Sequence, residues 1–360
     1  MVLMLVDHVR EYFYLHHQVS DPMLVGTTPP ELFFTRLTSH FCAPLFVFLS
    51  GLSACLYGDM PGRDRQRVSS YLASRGLLLV VLELTVINFA WSFDLSPHIL
   101  YLQVIWVIGL SMLALAGLLW LPRKAQWVLA IVLIAGHNLL DPIQFSQGES
   151  GFTLWAVLHD RSLIDLGGGV HARTSYPLLP WIGVILLGYL MGRLYGRGSD
   201  AGARVRVLFT SGCAALIGFV VLRTINRYGD APWVHGADAL ETVMSFLNLT
   251  KYPPSLLFLL LTLGTGWLVL ALADRRTMWP PLVTIGRVPL FFYVLHLYAL
   301  HVLYLVLAGI YGHNQGERYG VDAVWQLGLV AVPVLLFLYW PCRWFAGLKA
   351  RSPARWLKYF

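Results

Sequence analysis

The chain has 360 residues, 57% of them hydrophobic and 12% charged, with a formal net charge of +7. A soluble domain is about one quarter charged, so this composition excludes an ordinary soluble protein and points to a polytopic membrane protein. The basic surplus sits in short loops between apolar runs, which fits membrane topology better than nucleic acid, and no nucleic-acid partner is expected.

A membrane-spanning helix needs about 20 apolar residues, and by that measure about ten spans are predicted. They lie near 1–15, 40–58, 71–92, 99–121, 126–143, 177–195, 205–225, 254–273, 282–310 and 322–345. The expected architecture is all-α, a polytopic transmembrane helix bundle forming one domain over 1–360. The first run is short and carries Asp7 in its middle, so an upstream extension of roughly half a span is expected. It is too short and too charged for a cleavable signal peptide. Cys42, Cys55, Cys213 and Cys342 lie in or beside apolar runs without a CxxC pair and read as small buried hydrophobes.

Most of the 26 basic residues fall in alternate loops and the tail: Arg63, Arg65, Arg67 and Arg75; Arg123 and Lys124; Arg193, Arg197, Arg204 and Arg206; Arg275, Arg276 and Arg287; then Arg343, Lys349, Arg351, Arg355 and Lys358. The positive-inside rule places these loops and both termini in the cytoplasm. The opposite face then carries the longer polar loops, 144–176 with His159 and His171, and 226–253 with Asp230, His235, Asp238 and Glu241. Such loops are where function concentrates.

Ionisable residues inside apolar runs are costly and mark functional candidates. The densest group lies between Asp7 and Gly51. DHVREYFYLHH brings together Asp7, His8, Arg10, Glu11, His16 and His17, and PPELFFTRLTSHFCAP adds Arg36 and His40, which share a helix face if that segment is helical. Together they predict a polar pocket at the outer end of the first two spans. Glu83 stands alone in LLLVVLELTVINF, where it either pairs with an arginine such as Arg75 or Arg287 or serves a pathway. His137 in AGHNLLDP and His296 in FFYVLHLYALH are further buried candidates, while Asp141-Pro142 reads as a polar helix stop. Gly183, Gly188 and Gly192 in one run fit close helix packing. Among the 12 histidines, His296 and His301 are five apart and lie on different helix faces, so no metal is expected. A haem reading would need His8 aligned with His16 or His17.

LMLVDHVREYF followed by FFTRLTSHFCAPLFVFLSGLSA resembles the bacterial DUF1624 membrane proteins, relatives of the heparan-alpha-glucosaminide N-acetyltransferase catalytic domain and of the YeiB-like transmembrane acyltransferases. QVIWVIGLSM, AGHNLLD, YPLLPWIGVILLGY, KYPPSLLFLLLTLG and GRVPLFFYVLHLYALH resemble later segments, so the likeness covers nearly the whole chain. It implies an inner-membrane enzyme that takes an acyl group, expected to be acetyl, from cytoplasmic acyl-CoA and passes it to a sugar amine or hydroxyl outside. His17, or His16 with one gap, resembles the family's catalytic histidine, and Asp7 resembles a polar asparagine of its first helix. Tyr293-Val294-Leu295-His296 resembles a C-terminal Tyr-Val-x-His pattern. Two departures stand out. The family's Asp-x-x-Arg-Gly segment is absent, and its Gln-Arg pair is Trp106-Val107 here, so that arginine's role is either filled elsewhere or lost.

The resulting expectation has His17, His16, Asp7 and His40 as the catalytic group, with His17 as general base. His8, Arg36, His137, His296 and Glu83 bind substrate, and Arg287 and Arg75 meet the phosphates of acyl-CoA. Membrane lipid and a small-molecule or glycan acceptor are the expected partners, and a homodimer is the assembly to test. The rival reading is a proton-coupled transporter or flippase of a small or lipid-linked substrate, with Glu83, His137 and His296 forming a pathway. No internal repeat of the kind coupled transporters carry is evident.

Overall fold

The computed structural model describes residues 1–14, 23–352, 354 and 357. His16 and His17 therefore lie outside the described residues, as do Arg355 and Lys358 of the basic tail. The helices are α1 (Val2–Phe13), α2 (Pro30–Ser39), α3 (Cys42–Gly58), α4 (Arg65–Leu82), α5 (Asn88–Ser92), α6 (Val104–Leu118), α7 (Arg123–Ala135), α8 (Phe152–Leu158), α9 (Leu179–Met191), α10 (Ala201–Ile225), α11 (Ala239–Leu247), α12 (Leu256–Ala273), α13 (Pro280–Gly286), α14 (Pro289–Tyr311) and α15 (Gln326–Arg351). Among the described residues, six helical runs are long and apolar enough to cross a membrane, and 104–118 and 179–195 are shorter apolar helices. The protein is a polytopic helical membrane protein. Its lipid-type surface agrees: α10 exposes Phe209, Ile217, Val220 and Val221, and α15 exposes Leu329, Leu336, Phe337 and Trp340. Stripes of this kind are tolerable only against apolar solvent.

Local chemistry fixes where the helices start. Asp64 accepts from the Arg67 N–H, Asp200 from Gly202 and Ala203, and Ser255 from Phe258, each satisfying first-turn donors. The exposed Asp200 carboxylate is held below the usual range, first by the Ala203 N–H and then by that of Gly202. Contacts between helix ends sort the loops onto two faces. On the basic face Arg204 pairs with Asp274 at 2.7 Å, and Arg65 lies over Trp120 at 5.7 Å. On the opposite face the Leu256 N–H donates to Asn138 at 2.9 Å, and the Arg223 guanidinium donates to the carbonyls of Ala231, Ser245, Phe246 and Asn248.

Four details differ from the expected spans. Residues 99–102 do not extend the fourth span. They form β1 (Ile99–Leu102), which pairs in parallel with β3 (His171–Thr174), while β2 (Leu163–Asp165) pairs antiparallel on the other side of β3. The bundle is thus helical with a small sheet, in order β1-β3-β2, on the face opposite the basic loops. The fifth run is α-helical only to Ala135, and after Gly136 it tightens into a 3-10 turn over His137–Leu140. The ninth run breaks between α13 and α14, because Pro289 disfavours the helical region for Val288, which sits at φ −132° and ψ 54°. Between α4 and α5 the chain widens into a π-helical turn, Glu83–Ile87, that begins at the buried acid.

The expected close packing is present. A Cβ at Gly188 would lie 2.0 Å from the Phe48 carbonyl oxygen of α3, and one at Gly51 would lie 1.9 Å from that of Ile185. The two helices therefore touch backbone to backbone, as small residues allow. Gly188→Val is expected to destabilise the protein by about 3 kcal/mol or more, the upper part of the overpacking range. Gly117→Ala, where nothing lies within 4 Å, should be neutral or mildly stabilising. Thermal unfolding of the two variants in detergent checks the contrast, and equal stability would contradict the contact.

Candidate functional site

The site is organised around α1, a short helix packed against α2, α14 and α15. One face of α1 presents Asp7, Arg10 and Glu11. Asp7 is 7% exposed, and both of its oxygens are engaged. Oδ1 accepts from Arg10 Nε at 3.1 Å, and Oδ2 accepts from Arg36 Nη1 at 2.5 Å. Arg10 Nη2 also reaches Glu11 at 3.2 Å. Arg36 arrives on α2, which meets the condition that this segment be helical, and lies one turn before His40. Lys251, itself buried, bears electrostatically on Asp7 and His40. Three cations thus face two carboxyl groups in a space closed by apolar side chains. Beside them, Lys251 Nζ and the Arg161 guanidinium lie 5.2 and 4.9 Å from the Tyr252 ring, and the Tyr252 hydroxyl is 3.4 Å from that of Tyr176.

The adjoining flank of α1 presents His8 to α14. His8 Nδ1 lies 2.6 Å from His296 Nε2, and the rings stack at 4.9 Å with a 9° interplanar angle. His296 Nδ1 lies 2.9 Å from the Phe292 carbonyl. With both rings neutral, that carbonyl selects the tautomer. His296 donates from Nδ1 to Phe292 and accepts at Nε2 from His8 Nδ1–H, so the lone pair of His8 Nε2 is left to accept a proton. Trp91 and Tyr293 close around the pair edge-on, and the buried Tyr293 hydroxyl has no hydrogen-bond partner among the described residues. Tyr12 and His301 both reach the Ala90 carbonyl, at 3.1 and 2.8 Å, and tie α1 and α14 to α5.

The structure therefore brings together Asp7, His8, Arg36, His40 and His296. His40 is 2% exposed, packs its ring on Phe258 and leaves Nδ1 unpartnered. Glu83 pairs with neither Arg75 nor Arg287, contrary to one of its expected readings. Its Oε2 accepts from the Trp106 N–H at 3.0 Å, its Oε1 makes no hydrogen bond among the described residues, and it bears electrostatically on Tyr293. Trp106 thus holds this acid through its backbone. His137 lies apart, at the opposite-face end of α7 beside His159. Arg75 and Arg287 lie near the basic face, where Arg75 Nη1 donates to the Tyr71 hydroxyl at 3.1 Å and Lys349 Nζ donates to the Arg287 carbonyl at 3.5 Å.

Sequence reasoning missed two groups. Lys251 and Tyr252 were visible only as part of KYPPS, with nothing in the spacing to place them against Asp7. On the basic face Arg65, Arg123 and Arg193 line a cavity of about 350 Å³ together with Trp120, Gln126 and Tyr189. In the sequence these arginines belong to the basic inner-face loops, with nothing in their spacing to single them out.

No curated protein matches the chain at a significant level. Residues 12–224, more than half of the chain, match the family described as heparan-alpha-glucosaminide N-acetyltransferase, catalytic. The matched stretch takes in His16, His17, Arg36, His40, Arg75, Glu83 and His137, whereas Asp7, His8, Arg287 and His296 lie outside it. With its multi-pass helical body and this match, the chain belongs to the heparan-alpha-glucosaminide N-acetyltransferase catalytic-domain family.

Proposed function

We propose that the protein is a membrane acetyltransferase that moves an acetyl group from acetyl-CoA at the basic, cytoplasmic face to a sugar amine or hydroxyl on the other side of a bacterial inner membrane. Family membership supplies the reaction class and the acetyl-CoA donor. The observation that carries the location is the buried polar cluster on α1. Asp7, Arg36 and the His8–His296 pair are held together within apolar helices, where such groups are costly without a function.

In the reaction the acceptor nitrogen or oxygen attacks the thioester carbonyl. The new C–N or C–O bond forms, the C–S bond breaks, and the acceptor's proton leaves to a base while the CoA sulfur departs as the thiol. His17 is the base in this reading, as its resemblance to the family histidine implies, and it follows α1 by only a few residues. His8, with its Nε2 lone pair held free by His296, is placed to take up or relay that proton. The cation excess at Arg10, Arg36 and Lys251 suits the negative charge that develops on the carbonyl oxygen. Asp7 does not orient a histidine in this scheme, because both of its oxygens are committed to arginine. Its role is to fix Arg36 beside His40. The phosphates of the donor are matched by the arginine-lined cavity of Arg65, Arg123 and Arg193, with Arg75 and Arg287 farther along the same face.

The ten-span arrangement with both termini in the cytoplasm belongs to this proposal. A reporter fused after Phe360 is expected to read cytoplasm and one inserted at Gly148 the outside; both on one face would overturn the span count. The chemistry is tested on detergent-purified protein with labelled acetyl-CoA and a hexosamine. The expected result is acetylated sugar with stoichiometric release of free thiol. No acetyl-CoA-dependent product with amine or hydroxyl acceptors would contradict the assignment.

A further inference from the structure

A second polar group lies at the end of α7 opposite the basic face, away from the α1 site. His137 is 2% exposed and bears on the Pro254 backbone, and neither of its ring nitrogens makes a well-formed hydrogen bond among the described residues. His159, from the end of α8, is 1% exposed and leaves Nδ1 unpartnered. Its Nε2 lies 3.1 Å from the His137 carbonyl and 3.4 Å from Asp141 Oδ1. One donor atom from each of His137, Asp141 and His159 falls within 4.8 Å of the others. Two buried imidazoles with unsatisfied nitrogens beside a carboxylate are poorly explained as packing, because buried polar atoms ordinarily find partners.

From this cluster we infer a binding site for a divalent transition ion of the zinc class, ligated by His137, Asp141 and His159. The donor set, two imidazoles and one carboxylate, suits zinc rather than calcium or magnesium, which take all-oxygen shells. Ligands bound at about 2.0–2.1 Å in a tetrahedral shell sit about 3.4 Å apart, which is the separation already present between His159 Nε2 and Asp141 Oδ1. The three donor atoms lie within 4.8 Å of one another, so the His137 ring has to close by at most about 1.4 Å, within reach of a side-chain rotation. Metal at His159 Nε2 takes the place of the contact to the His137 carbonyl, and the imidazole stays neutral by carrying its one N–H on Nδ1.

The surroundings fit a ligand set. Asn138 Nδ2 donates to Asp141 Oδ2 at 3.0 Å, while Asn138 Oδ1 accepts from the Leu256 N–H at 2.9 Å, which aims Asp141 Oδ1 at His159. Trp155 stacks on the His159 ring at 5.0 Å. Outer partners that orient ligands in this way are typical of metal sites. Asp141 and His159 border an open cavity of about 180 Å³ that Asp160 and Asp230 also line, giving a cation an acidic route in and leaving a fourth position for water. The spacing of 137, 141 and 159 hid the set from sequence inspection, because its ligands come from two segments that meet only through the fold. The ion would clamp the end of α7 to α8 beside the 250–255 turn that delivers Lys251 to the α1 site. This inference does not depend on the acetyl-transfer reading.

The test uses the full chain, purified in detergent with a tag free of histidine, stripped with a chelator and titrated with zinc and with cobalt. The expected result is one zinc bound per chain, a tetrahedral Co(II) absorption spectrum, and a rise in unfolding temperature with zinc that is lost on chelation. His159→Ala should abolish all three, and Asp141→Asn, a change at a half-exposed side chain, should weaken zinc binding by about tenfold or more. If His159→Ala does not fold, the Asp141→Asn titration decides. Absence of stoichiometric zinc in the parent protein, or uptake unchanged in the variants, overturns the site.

Discussion

Replacing Asp7 with alanine is expected to destabilise the protein by about 3–5 kcal/mol, the range for removing one partner of a buried ion pair. The size follows from what is left behind. Arg10 keeps Glu11 at 3.2 Å, but Arg36 loses its carboxylate and retains only a 3.5 Å contact with Ser39. Its Nε is already without a partner. A buried guanidinium in that state has to draw in water or pull α2 away from α1. Pairing Asp7→Leu with Arg36→Met removes both charges and is expected to recover most of the loss or exceed the parent, as apolar replacements of buried pairs often do. Both variants should be inactive, since neither presents Arg36 to the site. Unfolding in detergent checks the pattern: a single Asp7→Ala variant as stable as the parent would contradict the ionic anchor.

His17→Ala is expected to lower turnover by about 10²–10⁴-fold at every acceptor concentration, the usual contribution of a general base. Folding and binding of CoA should be unchanged, because the base acts on the acceptor and not on the donor's phosphates. His16→Ala should cost less. Three outcomes would move the assignment. Loss of turnover in His40→Ala with His17→Ala active would place the base beside Arg36. Loss in His8→Ala with His17→Ala active would place it on the pair whose tautomer His296 and the Phe292 carbonyl fix. Near-normal turnover in all four single variants would remove histidine catalysis from this part of the protein.

The sequence carried the membrane class and the polar character of the region around α1 because both rest on local composition. Asp7, Arg36 and His40 stand out as ionisable residues in or beside apolar runs, and the structure gathers them. The pairing of His8 with His296 could not be read, since 288 residues separate them and no local rule links α1 to α14. The glycines were legible as close packing, but their partners were not: Gly188 and Gly192 meet α3, whereas Gly183 meets α7. The break before α14 was also written in the sequence, at Pro289, but a continuous apolar run outweighed it. The strand at 99–102 was hidden for a related reason. ILYL is as apolar as a span, and only its partner His171–Thr174, far along the chain, makes it a strand. The π-helical turn at Glu83 and the backbone bond from Trp106 that satisfies this acid have no sequence signal at all.

The central claim is transfer of an acetyl group across the membrane, and sealed proteoliposomes of single orientation test it directly. Labelled acetyl-CoA is supplied only at the basic face and a hexosamine only at the other. The expected result is labelled N- or O-acetyl sugar in the acceptor compartment, with CoA retained on the donor side and no loss of sugar from its own compartment. Sugar crossing unmodified, or no label reaching it while the vesicles stay sealed, would contradict the account.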